Sequence, residues 1–478
     1  MERLSYKTLK AQGGKDYVLE HAPERVLQFG EGNFLRAFVD CFIDVANERS
    51  GFNGKVVAVQ PISGPVIREK FDAQDGLYTL YLRGIEGGQR VEKRRVISCI
   101  SRCISAADEF DAVLACAHNP DLKYIVSNTT EAGIVYHDGD KMDAPAAAAF
   151  PGKLTLLLLE RYNCMPHSGF VLLPCELIEE NGKNLLSCVK KYITLWGLSA
   201  DFAAWVEEKN VFCSTLVDRI VPGYPKDAAA LNAANGYEDG LVVSAEPFGF
   251  WAIEGPGRLN DELPFAKSGL PVLVTEDCTG YKQRKVRILN GAHTSTVCAG
   301  LLCGLETVGE MMADPMLRTY LETEIVQEII PTLDLPRSEL DAFAASVIER
   351  FQNPFIRHEL ITITLNSTSK WRARVLPSVI EYLKRKGFLP KLLTFSFAAY
   401  AEFLRCGKFD CKDDREVLEF FSVHRSDCAE DLMAALCAQE LFWGQNLAAI
   451  PGFLAAVTDG LKVIQSEGMR AAAEAVLA

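Results

Sequence analysis

The sequence predicts an α/β protein with a Rossmann-type N-terminal domain and a second, mainly α-helical C-terminal domain. A strand-like run followed by a glycine-rich turn and an amphipathic helix lies near the N-terminus. Strand and helix patterns then alternate to about residue 275, and the periodicity beyond it is almost entirely helical. Because 478 residues are long for one domain, we expect two, residues 1–278 and 279–478, with the boundary in the segment 276–280.

The first strand–turn–helix unit has the pattern of a dinucleotide-binding turn. After the strand-like run 25–29, Gly30 would allow a tight turn and Gly32 would let the backbone approach a pyrophosphate at a helix N-terminus. Leu35 stands at the third glycine position of the fingerprint, so an ordinary strand-to-helix turn is the alternative. The residues of this turn that we predict to contact the cofactor are Phe29, Gly30, Gly32, Asn33 and Phe34.

Two further strand ends bear on the cofactor. The second strand, 55–59, runs into Gln60 with neither an acidic ribose-binding residue nor an arginine for a 2′-phosphate, so this turn does not distinguish NAD from NADP. The later run 122–126 ends in a polar turn that contains Asn128 and Glu131. Ligands of open α/β sheets bind at the carboxyl ends of strands, so both side chains are candidates to face the cofactor. Capping of the next segment is the alternative.

Residues 285–293 combine three side chains of catalytic type. On an α-helix Lys285, Asn290 and His293 would lie within an arc of about 140°. A lysine, an amide and an imidazole that converge on one point can remove an alcohol proton, hold the developing oxyanion and orient the substrate hydroxyl. Because helices carrying these residue types are usually ordinary, the motif alone does not decide between catalysis and structure.

Three segments together resemble the long-chain mannitol dehydrogenase family: residues 29–38, residues 212–220 and the K-x4-N-x2-H run at 285–293. Members of that family that act on sugar acids are most similar to this chain in the segments 74–83, 174–178, 212–225, 289–294 and 304–309. The resemblance extends from about residue 23 to beyond residue 470. It implies an oxidoreductase that uses NAD and no metal, with Lys285 as the general acid/base. Asn290 and His293 would bind the reacting oxygen and its neighbouring hydroxyl.

One segment departs from the family pattern. Mannitol-type enzymes carry a Cys-Asp-Asn stretch whose asparagine helps to polarise the carbonyl, whereas this chain has Leu177 at the third position, after Cys175 and Glu176. The role of that second amide is therefore not carried over. Asn181 is near in sequence but not in register.

A sugar-acid substrate needs a cation for its carboxylate. By the resemblance, the basic segment 366–374 serves the substrate, with Lys370 as the first choice and Arg374 as the second; a solvated helix face is the alternative. By the same resemblance, Asp218, which precedes Arg219 inside an apolar run, is a candidate to order the substrate site. A structural ion pair with Arg219 is the alternative there, because buried charges usually occur in pairs.

Composition limits the partners. The net charge of −13 argues against a nucleic-acid or anionic-membrane partner. The resemblance, not the charge, implies a small-molecule sugar acid as the partner. No leader pattern and no run of 18 apolar residues occur, so we expect a cytoplasmic protein. The 15 cysteines include no C-x-x-C, and the seven histidines form no metal motif, so we predict reduced cysteines and no metal site.

Two other functions stay open. Within the same class, the substrate could be a stereoisomeric ketouronate or another polyol of the family. From a different class, the chain could be a catalytically silent nucleotide-binding sensor that kept the fold. The intact Lys285, Asn290 and His293 argue against the sensor.

Overall fold

The computed structural model of the chain describes residues 1–14, 16–61, 67–129, 132–142 and 149–478. Its contacts divide the chain into two compact units. The first unit comprises Met1–Arg83 and Arg90–Cys278, and the second comprises Gly84–Gln89 and Thr279–Ala478.

A six-stranded parallel sheet forms the centre of the first unit, in the order β5-β2-β1-β6-β7-β8. This sheet confirms the predicted Rossmann-type fold. Two three-stranded sheets, β10-β3-β4 and β12-β11-β9, accompany it. The strands are β1 Glu24–Phe29, β2 Lys55–Gln60, β3 Tyr78–Glu86, β4 Gln89–Ile97, β5 Ile100–Ser105, β6 Tyr124–Ser127, β7 Val171–Pro174, β8 Val211–Phe212, β9 Ser214–Asp218, β10 Val243–Ala245, β11 Phe250–Glu254 and β12 Val272–Thr275.

The central strands are apolar on both faces because helices cover both sides of the sheet. In β2, Val56 and Ala58 belong to one hydrophobic core, while Val57 and Val59 belong to the other. Such continuous apolar runs are typical of parallel strands that are buried on both sides. The helices of this unit are α1 Tyr6–Ala11, α2 Asn33–Ala37, α3 Val39–Ser50, α4 Ile67–Ala73, α5 Phe110–Ala115, α6 Phe150–Cys164, α7 Asn181–Leu195, α8 Ala200–Lys209, α9 Ala228–Asn235 and α10 Leu259–Glu262, with 3₁₀ turns at Cys116–His118 and Ala266–Ser268.

The helix after the glycine-rich turn is broken, although its apolar spacing predicts one continuous helix. The backbone of Phe38, at φ −119° and ψ −77°, separates the five-residue α2 from α3. A helix of five residues contributes only a small macrodipole, since that dipole is a sum over aligned peptide units. Attraction of a phosphate to this turn therefore depends on individual backbone N–H groups more than on a long helix.

The β3–β4 hairpin turns at Gly87 and Gly88, whose φ values of 61° and 74° suit a tight two-residue turn. Its tip, Gly84–Gln89, groups with the second unit. There the backbone N–H of Gly88 donates to Oε1 of Glu349 at 2.8 Å. The domain bounds 1–278 and 279–478 stay a prediction.

The second unit is helical, as the sequence predicts. Its α-helices are α11 Thr279–Arg284, α12 Ala292–Leu302, α13 Val308–Ala313, α14 Pro315–Thr323, α15 Arg337–Phe351, α16 Leu360–Ile363, α17 Ser367–Arg374, α18 Leu376–Lys386, α19 Lys391–Arg405, α20 Arg415–Val423, α21 Ala429–Cys437, α22 Glu440–Trp443, α23 Phe453–Glu467 and α24 Met469–Leu477. Short 3₁₀ turns occur at Ile330–Thr332 and Leu447–Ala449. Helices α12 and α19 are buried along most of their length and pack against each other.

Two segments of this unit are π-helical: π1, Lys285–Gly291, and π2, Glu324–Ile329. The prediction of an α-helix that carries Lys285 and Asn290 was therefore wrong in its turn geometry. A π-turn pairs residues i and i+5, so residues five apart lie about one turn apart. Lys285 and Asn290 are such a pair, and the arc of about 140° drawn for an α-helix does not apply to them.

Candidate functional site

The glycine-rich turn follows the carboxyl end of β1, and its first residue, Gly30, has to be a glycine. Gly30 has φ +119°, and a Cβ there would lie 2.8 Å from the backbone oxygen of Asn128. Its N–H donates to the carbonyl of Val59 at 2.9 Å, which ties the turn to β2. Glycine is needed at position 30 for two reasons: its φ is positive, and the backbone of Asn128 leaves no room for a Cβ.

Gly32 and its neighbours form the open side of the same turn. A Cβ on Gly32 would meet no atom within 4 Å, so the backbone is accessible to a ligand. Asn33 is exposed, and its Oδ1 accepts a hydrogen bond from Nη2 of Arg36 at 2.6 Å. Phe34 is half-buried and stacks on Phe38. Of the predicted contacts, Gly32, Asn33 and Phe34 are accessible.

Phe29, also predicted to contact the cofactor, is a core residue in its side chain. It is fully buried, and its ring lies 5.0 Å from that of Phe150. Only its backbone could reach a cofactor.

The turn after β6 is organised by Glu176, a residue that the sequence analysis noted only as a departure from the family. This buried carboxylate accepts hydrogen bonds of 3.0 Å from Ser127 Oγ, Thr129 N and Thr129 Oγ1. Burial raises the pKa of Glu176, while the bonds from Thr129 and Ser127 oppose that shift. The amide of Asn128 donates to the carbonyl of Cys175 at 3.0 Å, so it ties the ends of β6 and β7 together. Glu131, the other predicted residue of this turn, lies outside the described residues.

A network of buried hydrogen bonds holds the residues that follow the glycine-rich turn. Arg36 donates to the carbonyl of Leu241 as well as to Asn33, and the Tyr78 hydroxyl lies 2.8 Å from the Arg36 carbonyl and 3.0 Å from Asp40 Oδ2. Burial raises the pKa of Asp40 to about 7, against the opposing effects of Tyr78 and Arg36. The sequence offered only a weak signal for this network, an aspartate inside an apolar helix.

Asp40 is expected to make stability depend on pH. Its pKa of about 7 in the folded protein exceeds the value of about 3.9 in an unfolded chain. Folding therefore favours the protonated acid, and this contribution is lost as pH rises from about 4 to about 7. Asp40→Asn should remove it, so the Tm of the variant relative to the parent should rise across that window. A Tm difference that stays constant from pH 5 to pH 8 would contradict the assignment.

Arg219, which follows Asp218 at the end of β9, is bound to the backbone of three other residues. It donates to the carbonyls of Ala37, Phe248 and Pro247, at 2.7, 2.8 and 3.3 Å. Asp218 is buried at the end of β9, in register with Phe250 of β11. Its predicted part in the substrate site stays a prediction.

In the second unit, Lys285 and Asn290 project from π1 and are both partly exposed. Gly291, the last residue of π1, permits a close approach: a Cβ there would lie 3.1 Å from the carbonyl oxygen of Arg374. The hydroxyl of Thr294 bonds back to the carbonyl of Asn290 at 2.8 Å, at the junction with α12. π-Turns occur frequently at functional sites.

His293 is buried on the first turn of α12, with 7 % of its surface exposed. Its ring stacks on Phe351, with centroids 3.9 Å apart, and meets His358 edge-on at 5.1 Å. Burial, and secondarily His358, Arg350 and Arg374, lowers the pKa of His293 well below its usual value, so the ring is neutral at pH 7. Within the described chain Nε2 has no hydrogen-bond partner. A buried unpaired ring nitrogen is costly unless a ligand satisfies it.

Lys370 and Arg374 lie four residues apart on α17 and so share a helix face. Lys370 Nζ donates to the carbonyl of Ile363 at 2.9 Å, and Arg374 Nη1 lies 3.5 Å from Thr294 Oγ1, one residue after His293. Neither has a carboxylate within ion-pair distance among the described residues. Burial lowers the pKa of both groups, and Arg374 further lowers that of Lys370, while Asp413 opposes the shift of Lys370. The structure thus brings Asn290, His293 and Arg374 to one region of the second unit.

Both units match models of a known family. Residues 24–267 match the mannitol dehydrogenase Rossmann domain, and residues 277–465 match the mannitol dehydrogenase C-terminal domain. The chain belongs to the mannitol dehydrogenase family. It is a dehydrogenase of that family.

Proteins with similar sequences and similar structures cover almost the whole length of this dehydrogenase. An altronate oxidoreductase of Escherichia coli O139:H28 is 44% identical over 97% of this chain and 99% of its own. One from Klebsiella pneumoniae is 44% identical over 98% and 99%. Two solved structures share the fold at 23% identity: Pseudomonas fluorescens mannitol 2-dehydrogenase in a ternary complex with NAD and D-mannitol, at a TM-score of 0.72 over 99% of both chains, and a substrate-free D-sorbitol dehydrogenase, at 0.81 over 98% and 99%.

The amide of Asn181 is not available as a second carbonyl-polarising group in this family member. Its Nδ2 contacts the carbonyls of Pro174, Glu176 and Thr215, while its Oδ1 accepts from the N–H groups of Gly182 and Thr215. The Leu177 side chain, at the position where mannitol-type enzymes have the asparagine, is 65% exposed. Asn181 therefore holds β7 and β9 together.

The described residues contain no group of three or more His, Cys, Asp or Glu side chains that could hold a metal ion. No helix among them is long and apolar enough to span a membrane.

Proposed function

We propose that the protein catalyses the reversible, NADH-dependent reduction of the ketone of tagaturonate to the secondary alcohol of altronate. The full-length similarity to proteins named altronate oxidoreductase supports the substrate pair. The arrangement of Lys285, Asn290 and His293 supports the reaction type.

The glycine-rich turn suits a dinucleotide. Gly32 leaves its backbone open to a pyrophosphate, and the exposed Asn33 lies beside it. The nicotinamide supplies the hydride that reduces the keto carbon. We extend NAD to this chain from the family resemblance.

Lys285 is the proton donor of the reduction in this proposal. Its ammonium delivers a proton to the carbonyl oxygen as the hydride reaches the carbon, and the neutral amine removes that proton in the reverse direction. The Asn290 amide donates to the same oxygen as negative charge develops on it. Neutral His293 offers Nε2 to a neighbouring substrate hydroxyl, which would satisfy its missing hydrogen bond.

The observation that carries the sugar-acid substrate is the pair of cations on α17. Lys370 and Arg374 have neutral oxygen atoms as their near partners, and Arg374 contacts the residue that follows His293. A partly buried cation with no carboxylate in direct contact is unfavourable, so a substrate carboxylate would stabilise both groups.

The proposal is tested by NADH oxidation with tagaturonate, fructuronate and fructose measured side by side, with chromatographic identification of altronate as the product. We expect tagaturonate to give the highest kcat/KM. Preference for fructuronate would make the protein a reductase of the stereoisomeric ketouronate. NADH binding without turnover of any substrate would indicate the silent sensor.

Activity is expected to be independent of metal ions. Lysine, amide and imidazole groups provide the proton transfer and the charge stabilisation that a metal would otherwise supply. Prolonged treatment with a strong chelator should leave kcat unchanged. Loss of activity that zinc or manganese restores would refute this prediction. A cytoplasmic location and the absence of a nucleic-acid partner likewise stay predictions.

A further inference from the structure

A buried glutamate of the second unit contacts α12, the helix that follows π1. Glu324, the first residue of π2, has no exposed surface, and its Oε1 is in hydrogen-bond contact with Oγ of Ser295 on α12. Its Oε2 has no hydrogen-bond partner in the described part of the chain. A carboxylate in such a place would leave a charged oxygen unsatisfied, which a protonated acid avoids.

Burial of Glu324 favours its protonated form. Burial raises its pKa well above the usual value, the hydrogen bond from Ser295 opposes that shift, and the nearby Glu328 raises the pKa further. Glu328 itself differs, because it accepts hydrogen bonds from the N–H groups of Leu392 and Leu393 at 2.9 and 2.8 Å. Ser295 Oγ–H donates to Oε1 of Glu324 when the acid is ionised, and the O–H of the protonated acid can donate to Ser295 Oγ across the same contact.

Ser295 connects this acid to π1. Its hydroxyl lies 3.0 Å from the carbonyl oxygen of Gly291 and 3.1 Å from that of Ala292. A hydroxyl has one proton. When Glu324 donates to Ser295, that proton remains for a carbonyl at the end of π1; without Glu324, the position of the Ser295 hydroxyl is no longer held.

The position of Gly291 matters for the candidate site because this residue connects Asn290 to the first turn of α12, which carries His293. The Arg374 carbonyl crowds the position that a Gly291 Cβ would occupy. The neighbouring hydroxyls of Thr294 and Thr296 also bond back, to the carbonyls of Asn290 and Ala292 at 2.8 and 2.6 Å. The Thr294 hydroxyl also accepts a long contact from Arg374, whereas the Ser295 hydroxyl contacts the buried acid Glu324 in π2.

We propose that Glu324 is a positioning residue: through Ser295 it holds the Gly291 carbonyl and so sets the geometry of Asn290 relative to His293. This inference rests on the proposed function of those two residues. A buried acid that serves only packing would affect stability and leave turnover per folded molecule unchanged.

Four variants test the proposal by steady-state kinetics and thermal unfolding. Glu324→Gln keeps a neutral donor to Ser295, so kcat should stay within about threefold of the parent. Glu324→Met keeps the length but removes the donor, and Ser295→Ala removes the connection; each should lower kcat by about 10- to 100-fold with an unchanged Kd for NADH. Glu328→Gln is the control, because it weakens the cap of α19 and should lower Tm while leaving kcat unchanged.

The double variant Ser295→Ala/Glu324→Met should be no slower than either single variant, since both break one connection. Equal kcat for Glu324→Met and the parent, or equal losses for Glu324→Gln and Glu324→Met, would overturn the proposal. If Glu324→Met does not fold, Ser295→Ala decides alone: an unchanged kcat would refute the proposal. Lys285→Ala distinguishes failure of the proposed function from failure of the proposed role of Glu324. Full turnover of Lys285→Ala would contradict the proposed function, independently of the results for the Glu324 variants.

Discussion

Replacing Lys285 with alanine is expected to lower kcat for the ketouronate by about two or more orders of magnitude. General acid/base groups typically contribute about 10²- to 10⁴-fold to a rate. The Kd for NADH should change little, because the predicted cofactor-binding turn belongs to the other unit of the chain. Single-turnover kinetics and fluorescence titration with NADH measure the two quantities separately.

A second substitution distinguishes proton transfer from charge. Lys285→Arg keeps the positive charge, but a guanidinium does not release its proton near neutral pH. If Lys285 is the acid/base, this variant should be about as slow as Lys285→Ala. Recovery of turnover by arginine would show that the position needs only a cation. Turnover of Lys285→Ala within about threefold of the parent would refute the catalytic assignment.

Replacing Lys370 or Arg374 with methionine is expected to raise KM for the ketouronate by about 10- to 150-fold. A charge-assisted hydrogen bond is worth about 1.5–3 kcal/mol, and methionine retains most of the apolar stem. The effect should fall on KM more than on kcat, because a carboxylate remote from hydride transfer is bound similarly in the ground and transition states. The kcat/KM for the ketouronate should fall more than the kcat/KM for uncharged fructose, so the ratio of the two values should decrease in these variants.

The same helix supplies a matched control. Arg372 lies between the two cations in sequence but is exposed, and Arg372→Met should leave KM unchanged. Equal losses for charged and uncharged substrates in the Lys370 variant would place that side chain in a structural role. If only the Arg374 variant shows the selective rise in KM, Arg374 binds the carboxylate.

Much of the fold follows from local patterns. Continuous apolar runs predict buried parallel strands such as β1 and β2, and helical spacing predicts the second unit, because these periodicities report directly on which faces are buried. Some helix boundaries were less predictable. Residues 429–445 have helical apolar spacing throughout, yet the helix breaks between Cys437 and Glu440. Residues 322–333 also have helical spacing, yet they contain π2 and a 3₁₀ turn at Pro331. Apolar spacing is similar in all of these helical forms, so it does not reveal them.

The residue types of the candidate site were determined by the sequence itself: glycines at 30 and 32, and the lysine, amide and imidazole of 285–293. Their geometry was decided only by the tertiary structure. Whether π1 replaces an α-turn, whether the pKa of Glu324 is raised, and whether Asn181 is already fully hydrogen-bonded depend on groups far apart in the chain. Burial and long-range hydrogen bonds set these properties, and neither can be deduced from the spacing of residues along one segment.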